Sequence, residues 1–200
     1  MKKNKYYLFV TLLITAFLFL ACQNESPVSA SDTYSKSAVI YGDFSPGDLS
    51  EEEEDGLIHM RMEEKVARDV YIGLGNIYNR PVFLTIQNSE QRHMDAIKKL
   101  LTKYGVEDPV PGEEVGLFPD PEFQQLYDNY MLQGQTSYAE ALLVGKTIEE
   151  RDISDLEFQL SFVDNQDIIK VYTNLLAASQ SHLAAFLKHI IVSNSQPPVD

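Results

Sequence analysis

Glu90 and His93, in the stretch SEQRHMDAIKKLL (Ser89 to Leu101), stand where an amphipathic helix should place apolar side chains. Their i, i+3 spacing puts both on one helix face, about 4.5 Å apart along the axis, within reach of a single ion. Three other apolar stripes break in the same manner: one at Glu64, one at Glu149 and Asp152, one at Ser179 and His182. Several carboxylates sharing one buried layer repel one another and lose their hydration, so protons, cationic side chains or metal must offset the charge. No Lys or Arg falls on these stripes at that level. Divalent metal is therefore the simplest compensation, and a polar core that shares protons is the alternative.

Four long helices must carry these groups. Leu57, Met60, Ala67, Tyr71, Leu74 and Tyr78 recur in steps of three and four, with Glu64 at the step missing between Met60 and Ala67. Ser50 is the expected N-cap of this first helix, Glu51 to Glu54 suit its positive end, and Asn79 and Pro81 stop it. The second helix is expected from about Pro81 to Tyr104, with Ile86, Ile97, Leu100, Leu101 and Tyr104 inward and Gly105 as terminator. Residues 105–136 read as a crossover with a short helix opened by Asp120 and Pro121 and reaching Met131 or Leu132. A third long helix follows from Ser137 to Phe162, and a fourth runs from the VDNQD turn to about Val192, with Tyr172, Leu175, Phe186 and Ile190 inward.

Heights along an antiparallel pair can be counted from its turn. Glu149 and His182 are equidistant from the VDNQD turn, as are Asp152 and Ser179, while Glu64 and His93 are equidistant from the Asn79 region. The polar interruptions therefore belong to one layer. No segment alternates with a period of two, so the class is all-α. A long crossover carrying a short extra helix between helices 2 and 3 is the ferritin-like variant of the four-helix bundle.

The first residues are of a different character. Lys2, Lys3 and Lys5 precede an uncharged run from Tyr6 to Ala21 that ends at Cys22, the sole cysteine. That pattern reads as an export signal, too short for a membrane span. FLFLAC followed by QNESP resembles the lipobox of bacterial lipoproteins, in which the cysteine is lipidated, although Phe19 replaces the usual branched aliphatic residue. The expected organisation is a lipoprotein-type signal over 1–22, a flexible tether over 23–49, the helical domain over 50–192 and a disordered tail over 193–200. The localisation expected is the bacterial cell envelope, lipid-anchored, with secretion as the alternative. A formal charge of −14 excludes a generic nucleic-acid or anionic-membrane binder. Membrane contact would be through the N-terminal lipid only, with metal ions as the expected partners and a homodimer left open.

The blocks MEEKVARDVY, SEQRHMDAIKKLL, YGVEDP and VGKTIEERDISDLE resemble a ferritin-like family of unknown function from bacteria and archaea, over roughly residues 48–192. In the wider superfamily, rubrerythrins and bacterioferritins hold two irons through two E-x-x-H units and two lone glutamates. The resemblance implies Glu64, Glu90, His93, Glu149 and His182 as ligands and iron as the metal, two ions in all, with manganese or zinc as alternatives. The second unit here reads SQSH, so Ser179 replaces the second bridging glutamate. A hydroxyl is a poor Fe(II) ligand, and Asp152 on the facing helix is the candidate to supply the missing carboxylate. A mononuclear site or a loosely held second ion stays open.

Around these, Tyr71 and Tyr172 lie two turns from the layer, where a tyrosine could relay electrons or simply pack. Arg68, Asp69 and Arg92 are candidates to orient ligands, with surface ion pairing as their default role. His59 and His189 are expected to be partly exposed and not ligands. The functional expectations are a di-iron oxidoreductase acting as a ferroxidase or on O2 or peroxide, a non-catalytic iron-handling module, or a structural bundle with a polar layer. The lack of a paired-cysteine electron-transfer site argues against a self-contained rubrerythrin-type peroxidase.

Overall fold

The computed structural model describes residues 48–110, 112 and 114–194. Cys22, the signal over 1–22, the tether up to residue 47 and the tail from residue 195 lie outside the described residues. Five helices, and no strand among the described residues, make up the fold: α1 (Glu51–Tyr78), α2 (Pro81–Tyr104), α3 (Pro121–Gly134), α4 (Tyr138–Leu160) and α5 (Gln166–Asn194).

Local chemistry sets the boundaries. Ser50 and Glu53 close a reciprocal capping box at the start of α1, and Asn79 ends that helix in the left-handed conformation at φ 47°. Pro81 opens α2 without needing a backbone donor, and Gly105, at φ 71°, closes it. Asp120 and Ser137 cap α3 and α4 through hydrogen bonds from the Glu122 and Glu140 backbone N–H groups. The short helix reaches Gly134, two residues beyond its expected end, and α5 continues to Asn194, two beyond Val192.

α1 and α2 form one hairpin and α4 and α5 another. The hairpins meet along α1–α4 and α2–α5, so the long helices form a ring, and α3 lies over the seam between α1 and α4. Two apolar cores fill the ring. One gathers Tyr71, Leu74, Phe83, Ile86, Leu142 and Phe186, and the other Leu57, Met60, Ile97, Leu156, Tyr172 and Leu175. Between them in sequence, on every long helix, come the polar residues Glu64, Glu90, His93, Glu149, Asp152, Ser179 and His182. Gly145 permits close approach of α4 and α5, since a Cβ there would stand 2.4 Å from the Phe186 ring.

α1 is buried on more than its inner face, and every residue from Met60 to Tyr71 is buried. Beneath the crossover, Arg61 donates through Nε and Nη2 to the Asp108 carboxylate at 3.0 and 3.1 Å. Lys65 donates to Asp69 and to the Glu114 carbonyl, and Asp69 in turn accepts from the Gly116 backbone N–H at 2.9 Å. Arg68 donates to Asp69 and to the Gln91 amide oxygen. The default assignment of Arg68 and Asp69 to surface ion pairs is therefore corrected: both are buried, at 3% and 0% exposure, Asp69 against the crossover and Arg68 between Asp69 and Gln91. A fully buried cation survives only with such partners.

Glu53 ties the start of α1 to the turn between α4 and α5. Beyond its cap, it accepts from the backbone N–H groups of Asp164 and Asn165 and from the Asn165 side chain, at 3.0 to 3.2 Å. Burial alone would raise its pKa, but the Asn165 and Ser50 backbone donors outweigh that and hold the carboxyl below its ordinary 4.5. A carboxyl lowered on folding stabilises above its unfolded pKa and loses that contribution as pH falls through the folded value. Replacing Glu53 with Ala is therefore expected to lower stability by about 1–3 kcal/mol at pH 7. The difference should shrink below pH 4.5, as urea denaturation across a pH series will show.

Candidate metal centre

Two groups of ligand-type atoms occupy the polar layer, each with its atoms within 4.8 Å of one another: Glu64, Glu90 and His93, and Glu90, Glu149 and His182. Glu90 belongs to both. Its Oε2 stands 2.7 Å from His93 Nδ1 and its Oε1 stands 2.9 Å from His182 Nδ1. His93 Nδ1 also lies 3.1 Å from Glu64 Oε2, and His182 Nδ1 lies 3.5 Å from Glu149 Oε2. The imidazole rings stack at 5.8 Å between centroids, so α2 and α5 present them side by side.

Local helix geometry produces this arrangement. Glu90 and His93 are one turn apart on α2 and face the bundle axis, where Glu64 reaches them from α1 across the hairpin. Glu149 and His182 approach from α4 and α5. Ser89 Oγ sits 3.4 Å from His93 Nε2, the ring nitrogen not used toward the carboxylates. The sequence reading passed over Ser89, although its i−4 spacing from His93 carries the signal. A partner on the second ring nitrogen fixes the tautomer that a ligating histidine needs.

The electrostatics follow from burial without solvent. Burial pushes Glu64 up to about 8 against the pull of His93, and Glu149 up to about 7 against that of His182. Glu90 behaves oppositely: two facing imidazoles overcome its burial and hold it down to about 2. The carboxylates raise His93 to about 11 and His182 to about 9, again against burial. Protons on the imidazoles thus neutralise the layer when no other cation is present. Several buried atoms nevertheless make no hydrogen bond: Glu64 Oε1, Glu90 Oε1 and His182 Nδ1. Glu90 Oε1 and His182 Nδ1 approach to 2.9 Å without hydrogen-bond alignment. Orphaned donor and acceptor atoms converging on a common space fit a cation with nitrogen and oxygen ligands.

The family model for the Uncharacterized protein domain (DUF2202) matches residues 53–196. The chain belongs to this family. It is similar to the uncharacterized protein MJ0754 of Methanocaldococcus jannaschii, at 49% identity over 140 residues, which is 70% of this chain and 76% of that protein. The crystal structure of hypothetical protein MJ0754 from Methanococcus jannaschii DSM 2661 superposes with a TM-score of 0.73 at 43% identity, covering 80% of this chain and 91% of that one.

Other expected site residues of this DUF2202 chain take distinct places. Asp152 joins neither ligand group; Ser179 Oγ donates to its Oδ2, and its buried Oδ1 has no hydrogen-bond partner. Tyr71 donates to Glu149 Oε1 at 2.6 Å and so fixes one carboxylate of the second group. Tyr172 packs in the apolar core nearer the α4–α5 turn, with its hydroxyl buried and without a hydrogen-bond partner. Arg68 is buried against Asp69 and Gln91, and Arg92 is exposed.

Burial, then the negative charges of Glu64 and Glu63, raise Asp152 well above the usual carboxylate range. A carboxyl whose pKa is raised on folding costs stability as pH climbs above its unfolded value. Asp152→Asn, which keeps an acceptor for Ser179, should match the wild type below pH 3.8. At higher pH in the presence of chelator it should gain up to about 1.4 kcal/mol per pH unit until the folded pKa is passed. Chemical denaturation in EDTA at several pH values measures this.

Proposed function

We propose that the protein is a ferritin-like di-metal carboxylate protein, with iron as its metal, acting as an oxidoreductase toward Fe(II), O2 or peroxide. One observation carries the reading: Glu90 places one carboxylate oxygen against each of two imidazoles, so that two ligand groups share a single bridging residue. Glu64 and His93 would complete one ion's protein ligands, and Glu149 and His182 the other's. The ring of four long helices, with a crossover that carries the short helix α3 between α2 and α4, supports the ferritin-like assignment. Iron bound here would supply one-electron redox chemistry at two adjacent centres.

The chain's own groups would set the conditions. Apolar cores on either side of the layer exclude water, which strengthens every charge interaction within it. Tyr71 holds Glu149 in one orientation through its hydroxyl proton. Asp152, raised by burial, would hold a proton within the layer and release it when local charge changes.

A second reading, an iron-handling module without turnover, is favoured by Ser179, which places a hydroxyl rather than a carboxylate in the position of a second bridge. Anaerobic Fe(II) titration followed by oxygen uptake separates the two. Two equivalents of iron per chain and stoichiometric oxygen consumption are expected. Glu90→Gln should weaken both equivalents by at least about tenfold, whereas Glu64→Gln and Glu149→Gln should each affect one. Iron binding without oxygen uptake would select the handling module, and no bound metal at neutral pH would remove both readings.

The tether reading extends the proposal to the envelope, with Cys22 as the lipid attachment point. Labelled palmitate should enter the wild-type chain in a bacterial host and be lost in Cys22→Ala. Equal labelling of the two would count against a lipid at that residue.

A further inference from the structure

A third group of ligand-type atoms lies on the outer side of the α1–α4 seam and shares no residue with the buried layer. His59, Glu63 and Asp155 bring an imidazole and two carboxylates together, with one atom of each within 4.8 Å of the others. His59 Nε2 stands 3.5 Å from Glu63 Oε2 and 3.7 Å from Asp155 Oδ2. These separations are long for hydrogen bonds. They are near the spacing of about 3.4 Å that neighbouring ligand atoms adopt around an ion bound tetrahedrally at about 2.1 Å.

Glu63 supplies an independent observation. The residue is 6% exposed, and only its Oε1 is satisfied, by the Arg151 guanidinium. Its Oε2 is buried, accepts no hydrogen bond and faces His59 Nε2. Leaving such an oxygen unpartnered is unfavourable, and the nearest compensation is a cation between it and the imidazole. The Phe123 ring meets His59 edge-on at 5.5 Å and steadies the imidazole in the orientation that presents Nε2. Arg151, also 3.6 Å from Asp155 Oδ2, neutralises one carboxylate charge, which suits the group to a single divalent ion. His59 and Asp155 side chains are 38% and 33% exposed, so a fourth ligand would be water.

We propose that His59, Glu63 and Asp155 form a separate site for one borderline divalent cation, such as zinc or Fe(II), at the surface of the α1–α4 seam. The proposal departs from the expectation that His59 is not a ligand. The site would clamp α1 to α4 beside the buried layer, since Glu63 adjoins Glu64 and Asp155 lies one turn beyond Asp152.

Calorimetric zinc titration of the full chain at neutral pH tests it, using wild type, His59→Gln and Asp155→Asn, each also in a Glu90→Gln background. His59→Gln and Asp155→Asn should each remove one zinc equivalent in both backgrounds while the helical circular dichroism of the metal-free protein is unchanged. Zinc uptake unaltered by both substitutions, in either background, overturns the site and leaves His59 as the protonated partner of two carboxylates.

Discussion

Holding a carboxylate between two imidazoles in a layer closed off from water constrains everything around it. Glu90 stays ionised because His93 and His182 face it from α2 and α5, and those imidazoles keep their positions only if Glu64 and Glu149 balance them from α1 and α4. Each long helix therefore contributes an ionisable group that is tolerable only in the presence of the others. The apolar cores on either side set the height of the layer, and the hairpin turns set its register. A slip of one turn in either hairpin would leave charges facing Leu or Phe.

The opposite side of α1 solves a different problem. Arg61, Lys65 and Arg68 put cations on a face that a solitary hairpin would leave in water. The crossover meets Arg61 with Asp108 and Lys65 with the Glu114 carbonyl, and its Gly116 backbone N–H donates to Asp69, the carboxylate that Lys65 and Arg68 share. Lys65 also lies 4.1 Å from the centroid of the Phe118 ring, which adds a cation–π contact to the same strap. Acidic groups thus face the axis of the bundle while basic groups anchor the connection outside it. The alternation of sign around one helix keeps the two networks from competing for partners.

Much of this was legible in the chain because it is written locally. Ser50, Asn79, Pro81, Gly105, Asp120 and Ser137 act within a few residues of themselves, and the helix limits follow from them. The polar layer was legible for another reason: a charged residue on an apolar stripe is conspicuous, and symmetric counting from a turn gives its height. What escaped notice depends on partners distant in sequence. Glu53 looked like one of four acids suited to a helix start, and its bonds to the α4–α5 turn have no local signature. Arg68 and Asp69 read as a solvated pair because nothing in α1 announces Gln91 and the crossover, against which they are buried. His59 gained its character only when α4 brought Asp155 beside it.

The unbroken burial of α1 from Met60 to Tyr71 has a dynamic counterpart. A helix covered on the inside by the layer and on the outside by the crossover cannot expose its peptide groups by bending or fraying. Its amide hydrogens can exchange with solvent only when the hairpins part or the strap lifts, so α1 is placed at the slow end of the exchange spectrum. On α5 the exposed residues Leu187, Ile191 and Val192 all follow the last buried one, Phe186, so its C-terminal turns lack the cover that α1 has on both sides. The middle turns of α1 are accordingly the part of the fold expected to open last.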